Sequence, residues 1–401
     1  MVPIIAWVGA PNSRVGLVPQ IVGDGGVVIT LASLAMRRAA SVGLIGIFVA
    51  ACASSSTTEG LSPNTGGSPS PTGRFVATGS MATARYQHKA VRLLDGRVLL
   101  LAGIGDRDTP GPETYLASCE IYDPRTGVFI TSASLGHPTQ LMEVLPLPSG
   151  RVLIEHESDL GWTIEEEYDP TTDRVVGVQP LTISGVTGAT VLHDGRLLLA
   201  GNVTSTSDHS LLATASIYDP ATGAIAATGS MLTPRRGPEG IVLKDGRVLV
   251  VGGLKLSSAE VYDPASGRFS ATGSMVMSHF EPGMVLLQDG RVLLVDGDAE
   301  IYDPETGRFS PTGPMSVGRD QVQPALLPDG RVLVVGGAHV AVGNTYAELY
   351  DPRTGTFSKT GPLITPLDFA TVTALGNGNV LIAGGTGPDD AILSSAELFE
   401  P

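Results

Sequence analysis

The chain has 401 residues, a formal net charge of −15 at neutral pH and only two cysteines. This acidic balance argues against a nucleic-acid-binding protein, because phosphate groups require clusters of Lys and Arg. With 42% hydrophobic residues, the chain can bury a large core without a disulfide framework.

The first 51 residues are predicted to be a leader that precedes the folded part. Residues 1–35 match no expected element, and we interpret them as an upstream extension, with translation starting at Met36. Residues 36–51 combine two arginines, an apolar stretch and small residues, which is typical of a secretory signal peptide. The ending Val-Ala-Ala-Cys resembles a bacterial lipobox, which implies that Cys52 carries a lipid after cleavage. A single anchor helix is the alternative, although the apolar stretch is shorter than the roughly 20 residues that cross a bilayer.

Residues 52–72 are rich in Ser, Thr, Gly and Pro, a composition that is typical of a flexible tether. We therefore expect an exported protein that is anchored to the cell membrane through Cys52, in the periplasm or at the cell surface. Because Cys52 would be lipidated, Cys119 would have no disulfide partner.

A repeated unit accounts for residues 73–401. It runs D-G-R-V-L-V-V-G-G, then a variable gap, then A-E-x-Y-D-P-x-T-G-x-F-x-x-T-G-x-M, with clear copies at 245–275 and 329–363. Short strands that repeat every 47 residues or so predict a β-propeller. The turn glycine of each copy, or its equivalent, falls at Gly96, Gly150, Gly195, Gly246, Gly290, Gly330 and Gly378.

Each copy predicts one blade of four antiparallel strands, which we name a to d. In blade four we expect strand a near 240–243, strand b at 247–251, strand c at 259–262 and strand d at 268–272. The D-G dipeptide between strands a and b favours a tight hairpin, because that turn requires a positive φ angle.

The two ends of the repeat region complement each other. The last copy stops at Pro401 without its strand d, while an unpartnered T-G-R-F segment stands at 72–75. A strand from residues 73–80 is therefore expected to complete the last blade, which would remove an exposed sheet edge. The sequence thus predicts an all-β, seven-bladed propeller whose last blade is closed by the N-terminal strand.

The pattern of two glycines, a Glu, a Tyr and a later aromatic residue resembles the kelch repeat over residues 73–401. This resemblance implies a propeller of the galactose oxidase and kelch superfamily. Blade two departs from the pattern, since Glu155 and His156 occupy the di-glycine position. The usual kelch Trp is replaced by Phe75, Phe129, Phe269, Phe309 and Phe357, with Val175 and Ile225 in the other two copies.

Charged residues that recur in most blades are predicted to serve the fold. An Arg opens strand b and an Asp closes strand c, so antiparallel pairing of these strands predicts a recurrent Arg–Asp pair. A Glu recurs two positions before the aromatic residue of strand c. The three sets are Arg97, Arg151, Arg196, Arg247, Arg291 and Arg331; Asp123, Asp169, Asp219, Asp263, Asp303 and Asp351; and Glu120, Glu166, Glu260, Glu300, Glu348 and Glu397.

Variable loops mark the predicted working surface. The short a–b and c–d turns share one face of the ring, whereas the variable b–c and d–a connections share the other, and such loops usually carry binding. Arginines that converge there would suit acidic ligands, because the guanidinium fork matches a carboxylate.

In kelch proteins that bind other proteins, arginines at this place contact the partner, and Arg85, Arg235 and Arg319 match it by position. The alternative is that each arginine satisfies a neighbouring carbonyl. The candidate partner-binding residues are Arg85, Tyr86, His88, His137, Arg235, Arg236, His279, Phe280, Arg319, Asp320 and Trp162.

Blade two carries six carboxylates from Glu155 to Glu167, together with His156 and Trp162. Such a density of oxygen ligands could hold Ca²⁺, but no D-x-D-x-D-G loop is present. A solvated acidic loop is the expected arrangement, and no metal is assigned. Trp162 could form a stacking platform for a sugar.

These observations predict a monomeric binding or scaffold module for a protein or glycan partner in the cell envelope, without a cofactor. The alternative is a kelch-type enzyme acting on sugars, similar to the sialic-acid epimerases or, with less support, to the copper radical oxidases. The oxidases need two His and two Tyr on copper, with one Tyr linked to a Cys. Here the candidate thiol is Cys119, and the seven histidines show no His-x-His spacing. No P-loop, Rossmann fingerprint or nucleophile elbow is present.

Overall fold

The computed structural model describes residues 72–105, 114–138, 141–158, 161–182, 188–203, 211–253, 256–279, 282–319, 322–337 and 345–401. These residues lie in one compact unit, Gly67–Pro401. They form seven sheets of four antiparallel strands each, so the predicted seven-bladed propeller is confirmed.

Strand labels follow the chain, and each blade takes four strands. The N-terminal strand is β1 (Arg74–Ala77). Blades one to three comprise β2 (Lys89–Arg92), β3 (Val98–Leu101), β4 (Cys119–Asp123) and β5 (Val128–Ser132); β6 (Leu141–Pro146), β7 (Val152–Ser158), β8 (Gly161–Asp169) and β9 (Arg174–Thr182); and β10 (Gly188–Val191), β11 (Leu197–Val203), β12 (Leu211–Asp219) and β13 (Ala224–Ala227).

Blades four to seven continue the same pattern. They comprise β14 (Pro238–Val242), β15 (Val248–Gly252), β16 (Ala259–Asp263) and β17 (Arg268–Ala271); β18 (Gly283–Leu286), β19 (Val292–Asp296), β20 (Asp298–Asp303) and β21 (Arg308–Pro311); β22 (Ala325–Leu326), β23 (Val332–Val334), β24 (Tyr346–Asp351) and β25 (Thr356–Pro362); and β26 (Thr371–Ala374), β27 (Val380–Ala383) and β28 (Ala396–Glu400) with β1. The strands of blade four differ from the predicted bounds by one or two residues.

Helical structure is nearly absent from the described residues, where one short 3-10 helix spans Pro388–Asp390. In the same part of the chain, no helix combines the length and the apolar character that crossing a bilayer requires.

The first strand of each blade lies innermost, around the ring axis. These strands contact one another in the cyclic order β2, β6, β10, β14, β18, β22, β26 and back to β2. The ring is therefore closed, and the last blade is completed as predicted. Strand β1 pairs with β28, which places Phe75 opposite Phe399 with their ring centroids 5.1 Å apart.

The core lies between the blades, which explains why strand b is apolar along its whole length. In β3, Leu99 and Leu101 pack toward Val152 of blade two. The alternate residues Val98 and Leu100 pack toward blade seven. Both faces of the strand are buried, as in sheets that are covered on each side.

The a–b turn takes the form that its D-G dipeptide predicts. In blade one, Gly96 has a φ of 89°, and its N–H donates to the carbonyl of Leu93 at 3.0 Å. An L-residue at this φ would be strained, so glycine is required there.

In blades one, four, five and six, a repeated Tyr joins the blade to the preceding one. The Tyr122 ring packs on Phe129 with centroids 4.8 Å apart, and its hydroxyl bonds Thr78 at 2.8 Å. The equivalent hydroxyl pairs are Thr228 with Tyr262, Thr272 with Tyr302, and Thr312 with Tyr350. The later T-G of the repeat therefore supplies a bond between neighbouring blades.

The predicted pairing of the strand-b Arg with the strand-c Asp is wrong. Arg97 Nε instead donates to Asp95 of its own a–b turn at 2.8 Å. Asp123 accepts a bond from the backbone N–H of Arg125 at 2.9 Å, inside the c–d turn. The physical reason is proximity, because each carboxylate finds donors within its own turn. The same short pairs occur in Arg196 with Asp194, Arg247 with Asp245, Arg291 with Asp289, and Arg331 with Asp329.

Candidate functional site

The b–c and d–a connections meet at one face of the ring, as predicted. In blade one, Tyr86 of the preceding d–a connection forms a β-bridge with Ile104, which follows strand b. In blade seven, Asp368 bridges Thr386 in the same way. We refer to this surface as the loop face. The opposite face carries the a–b and c–d turns.

A buried Glu in strand c holds the neighbouring d–a connection. Glu120 is 2% exposed, and its carboxylate accepts bonds from the backbone N–H groups of Ala82 at 2.7 Å and Thr83 at 3.1 Å. Charge-assisted bonds of this kind are strong, so the loop backbone is fixed. The scaffold role predicted for the recurrent Glu is thus confirmed by its contacts. The equivalent donors are Leu232 and Thr233 to Glu260, Val276 and Met277 to Glu300, Ser316 to Glu348, Ile364 to Glu397, and Gly136 to Glu166.

Arg85 lies buried beneath the loop face with 0% exposure. Its Nη1 donates to the carbonyls of Ala102 at 2.8 Å and Ser118 at 2.9 Å, and its Nη2 donates to Ser118 Oγ at 3.1 Å and Glu120 Oε1 at 3.0 Å. We refer to these four acceptors as the arginine socket. Burial lowers the pKa of Arg85, whereas the Glu120 carboxylate opposes that shift. The guanidinium stays protonated, since Arg does not lose its proton in proteins.

Arg235 fills the same socket in blade four. It donates to the carbonyls of Gly252 at 2.6 Å and Ser258 at 2.7 Å, to Ser258 Oγ at 3.0 Å and to Glu260 Oε1 at 3.1 Å. The arrangement follows from two matching segments, Met-x-x-x-Arg in the d–a connection and Ser-x-Glu at the start of strand c.

Arg319 is buried in blade six through a variant of the socket. It donates to the carbonyls of Gly336 at 2.7 Å and Tyr346 at 2.8 Å, and its Nε lies 3.4 Å from Glu348. The three arginines therefore donate hydrogen bonds to neighbouring carbonyls, as the alternative interpretation of these residues predicted. Because their side chains are enclosed, a ligand at the loop face would meet other residues first.

His279 takes the place of these arginines in blade five, four residues after Met275. Its Nε2 lies 2.8 Å from Glu300 Oε1, and its Nδ1 lies 3.5 Å from Asp296 Oδ2. Burial alone would lower the pKa of His279, but the hydrogen bonds to Asp296 and Glu300 raise it to about 9. The imidazolium is therefore the buried cation of blade five at neutral pH.

Replacing His279 with Arg should flatten the stability loss of the protein in alkaline solution. The folded-state pKa of about 9 exceeds the ordinary 6.5, so protonation stabilises the fold fully below the ordinary value and this stabilisation disappears as the pH rises through the folded value. At about 1.4 kcal/mol per pKa unit, the loss is about 3 kcal/mol. An arginine keeps its proton throughout this range. Urea-unfolding midpoints at about pH 6, 8 and 10 measure the effect, and parallel curves for the two proteins would contradict this assignment.

Three of the six carboxylates of blade two are buried, which differs from the solvated acidic loop that we expected, and the side chains of Glu157, Asp159 and Glu165 lie outside the described part of the structure. Glu155 and Glu166 are each 8% exposed, and Glu167 is 6% exposed. His156 Nε2 lies 3.0 Å from Glu166 Oε2. Desolvation is the main cause that raises the pKa of Glu155 to about 7. The reason is that β7 and β8 extend beyond the point where the other blades carry two glycines and turn.

Tyr86 and His88 are also buried, at 3% exposure each. The Tyr86 ring lies edge-on to Phe369 with centroids 6.3 Å apart, and His88 Nε2 lies 3.0 Å from Thr371 Oγ1. Burial lowers the pKa of His88 to about 3, with a further contribution from Arg85. These two side chains connect blade one to blade seven, beneath the loop face.

His137 and Arg236 are exposed on the loop face. The His137 ring lies 5.2 Å from the buried His156 ring, which places it above the carboxylates of blade two. Trp162 lies in β8, and its side chain is outside the described part of the structure. Phe280, Asp320 and Cys52 are outside the described residues.

Exposed apolar side chains on the loop face are a feature that sequence reasoning missed. Leu232 is 61% exposed, Val276 is 58%, Met277 is 41% and Ile364 is 55%. The backbone N–H of each one is bound by the buried Glu described above. The sequence does carry a signal for them: a large apolar residue directly follows the Met or Leu of the d–a connection, where other connections carry Ala82, Gly136 or Ser316.

A cavity of about 410 Å³ lies on the opposite face, between the a–b turns of blades four and five. Its walls are repeated turns, and the two arginines among them each pair with the Asp of the same turn. Arg247 lies 2.7 Å from Asp245, and Arg291 lies 2.7 Å from Asp289. These groups are neutralised by each other, so the cavity is a weaker candidate than the loop face.

No protein-family model matches this chain, and none of the curated proteins is significantly similar to it. Among solved structures, the chain is similar to a copper-bound fungal alcohol oxidase described as showing catalytic diversity among the AA5 family. The TM-score is 0.63 at 17% identity, over 82% of this chain and 76% of the oxidase. This likeness shows the fold alone.

The candidate thiol for a copper radical oxidase site is enclosed in the protein. Cys119 is buried, its Sγ lies 3.8 Å from the carbonyl of Ala117, and burial raises its pKa to about 12. Within the described ranges, no group of three or more His, Cys, Asp or Glu side chains is placed to hold a metal ion.

Proposed function

We propose that the propeller binds a protein partner through its loop face. The observation that supports this proposal is the set of exposed apolar side chains Leu232, Val276, Met277 and Ile364. Their loops are held by buried carboxylates before any partner arrives. A preorganised loop loses little conformational entropy on binding, so its apolar side chains can contribute directly to affinity.

The composition of this surface favours a protein over a glycan. The buried centre of a protein interface is apolar and its rim is polar. The four apolar residues would supply the centre, and the exposed Arg236 and His137 would supply part of the rim. A glycan ligand would instead depend on polar groups and on aromatic platforms such as Trp162.

The enzyme alternative is supported only by the likeness to the alcohol oxidase. A propeller fold hosts many unrelated functions, so the fold by itself carries no activity to this chain. The proposal therefore concerns binding.

Changing Leu232, Val276 and Met277 together to Ser should weaken partner binding at least about tenfold. Full burial of each such side chain contributes about 1.5 kcal/mol or more, and tenfold in affinity corresponds to about 1.4 kcal/mol. The partner would be captured by cross-linking from the cell envelope with residues 72–401 as bait. Surface plasmon resonance with the purified partner then compares the two proteins.

Leu94 provides the matched control, because it is 76% exposed in an a–b turn on the opposite face. Leu94→Ser should leave the affinity unchanged. Weakening by Leu94→Ser, with full affinity in the triple variant, would move the binding surface to the opposite face. Binding to immobilised glycans without any protein partner would replace the protein proposal by the glycan one.

We further propose that the propeller is exported and tethered to a membrane by a lipid on Cys52. The support is the leader sequence, with its two arginines, apolar stretch and small residues before Cys52. Cys52→Ala should shift the protein from the membrane fraction to the soluble fraction, as measured by immunoblotting. Unchanged membrane association of this variant would contradict the lipid anchor.

A further inference from the structure

Blade seven keeps the Ser and the Glu of the arginine socket but lacks the arginine. In blades one and four, strand c begins with Ser118-Cys119-Glu120 and Ser258-Ala259-Glu260, and the Ser and Glu bind the guanidinium. Blade seven begins its strand c with the same pattern, Ser395-Ala396-Glu397. The Arg position is the fourth after Met81 and Met231, and the fourth residue after the equivalent Leu363 is Leu367.

Glu397 is consequently a buried carboxylate with a free oxygen. It is 4% exposed, and its Oε2 accepts a bond from the backbone N–H of Ile364 at 2.9 Å. Its Oε1 is buried and has no hydrogen-bond partner among the described residues. Burial raises the pKa of Glu397 to about 7, which is the shift expected of a carboxyl group that lacks a neighbouring cation.

A cavity of about 130 Å³ lies beside Glu397. Glu397 and Leu367 line it together with the hydroxyl-bearing residues Thr78, Thr365 and Ser395. Ser80 and Ile364 also line the cavity and are exposed, so it opens to solvent on their side. A volume of this size exceeds what one water molecule needs and accommodates a small organic ion.

We propose that this cavity binds a guanidinium group supplied by another molecule, beside the Glu whose equivalents bind an intrinsic arginine in blades one and four. One carboxylate with neutral hydroxyl groups balances a single positive charge. A guanidinium also carries several N–H donors in a fixed plane, which match a carboxylate and nearby oxygens. The cavity shares Ile364 with the loop face, but the proposal does not depend on the protein-binding function.

The test uses methylguanidinium chloride as the probe and the propeller with its complete N-terminal strand. Titration at up to about 20 mM, well below denaturing concentrations, should raise the unfolding temperature of the wild-type protein to a plateau, because a ligand of the folded state stabilises it. Tetramethylammonium chloride has no N–H donor and should not reproduce the rise. Isothermal titration calorimetry should give a stoichiometry of about one.

Two variants locate the site. Glu397→Gln removes the charge, and Leu367→Arg supplies the missing guanidinium from within the chain. Each should weaken methylguanidinium binding at least about tenfold. Leu367→Arg should also unfold at a higher temperature than the wild-type protein, which shows that it folds with its socket filled.

N-acetyl-arginine methylamide distinguishes the two sources of such a group. Binding of this compound with similar affinity would show that the cavity accepts an arginine side chain, whereas binding of methylguanidinium alone would restrict it to small free cations. Two results would overturn the proposal. One is an unfolding temperature of the wild-type protein that does not rise to a plateau with methylguanidinium, and the other is an equal rise in the Leu367→Arg variant.

Discussion

The Arg235→Leu variant should lose about 3–5 kcal/mol of unfolding free energy, because removing one partner of a buried ion pair leaves the other charge uncompensated. Arg235 is 0% exposed and lies 3.1 Å from Glu260, which is 2% exposed. The substitution also leaves the carbonyls of Gly252 and Ser258 without the donor that now satisfies them. Urea unfolding followed by circular dichroism measures the loss.

Arg236 is the matched control for this experiment. It is the next residue in the chain and is exposed, so Arg236→Leu should change the unfolding free energy by no more than about 0.5 kcal/mol. The double variant Arg235→Leu/Glu260→Leu removes the uncompensated charge but should stay well below the wild-type stability, because the backbone N–H groups of Leu232 and Thr233 also lose their acceptor. Equal unfolding free energies for the Arg235→Leu and Arg236→Leu variants would contradict the stabilisation that we assign to the arginine socket.

This expectation affects how binding experiments are read. If Arg85, Arg235 or Arg319 were changed, a partner could be lost because a d–a connection had lost its support. The exposed apolar residues avoid this difficulty, because their side chains do not fix the loops. The binding test is therefore placed on Leu232, Val276 and Met277.

Removing strand β1 should lower the unfolding free energy by more than about 5 kcal/mol. A chain that starts at residue 79 leaves the edge of β28 open, where Arg74–Ala77 now pairs with it. The truncation removes several ladder hydrogen bonds, each contributing about 1 kcal/mol. It also removes Phe75 from its contact with Phe399, and loss of a packed aromatic side chain costs about 3 kcal/mol or more.

A chain that starts at residue 72 keeps β1 and is the control for the truncation. Its unfolding midpoint should be clearly higher than that of the shorter chain when both are followed by circular dichroism. A peptide of residues 72–80, added to the shorter chain, should restore part of the difference by pairing with the open edge. Equal midpoints for the two truncations would show that the last blade does not depend on its N-terminal strand.

The ring and its closure could be predicted because they depend on local signals that recur. The D-G turns, the apolar strand after each turn and the Y-D-P element mark every blade, whatever lies beside it. Closure followed from a missing strand after Phe399 and an unpartnered copy at Phe75. Strand ends were less accurate in blade four, since hydrogen bonding with neighbours sets where pairing stops.

The partners of the recurrent charges could not be predicted in the same way. Arg97 was expected to reach the Asp at the end of strand c, but Asp95 lies closer within the turn. Blade two looked like a solvated loop, whereas its longer strands carry Glu155 and Glu166 into the interior. In each case, the neighbours of the charged group depend on distances in the folded structure, which cannot be obtained from the sequence.

The sequence by itself determined the all-β ring, the number of blades, the closing strand and the face on which the loops vary, because each depends on a pattern repeated along the chain. Only the tertiary structure decided that Arg85 and Arg235 lie in sockets, that Leu232 and Val276 are exposed, and that Glu397 has no cation beside it among the described residues. The physical reason is that burial and ion pairing arise between segments 25 to 35 residues apart, such as Arg235 with Glu260 and Arg85 with Glu120. Folding brings these segments together at distances that determine which charges are paired.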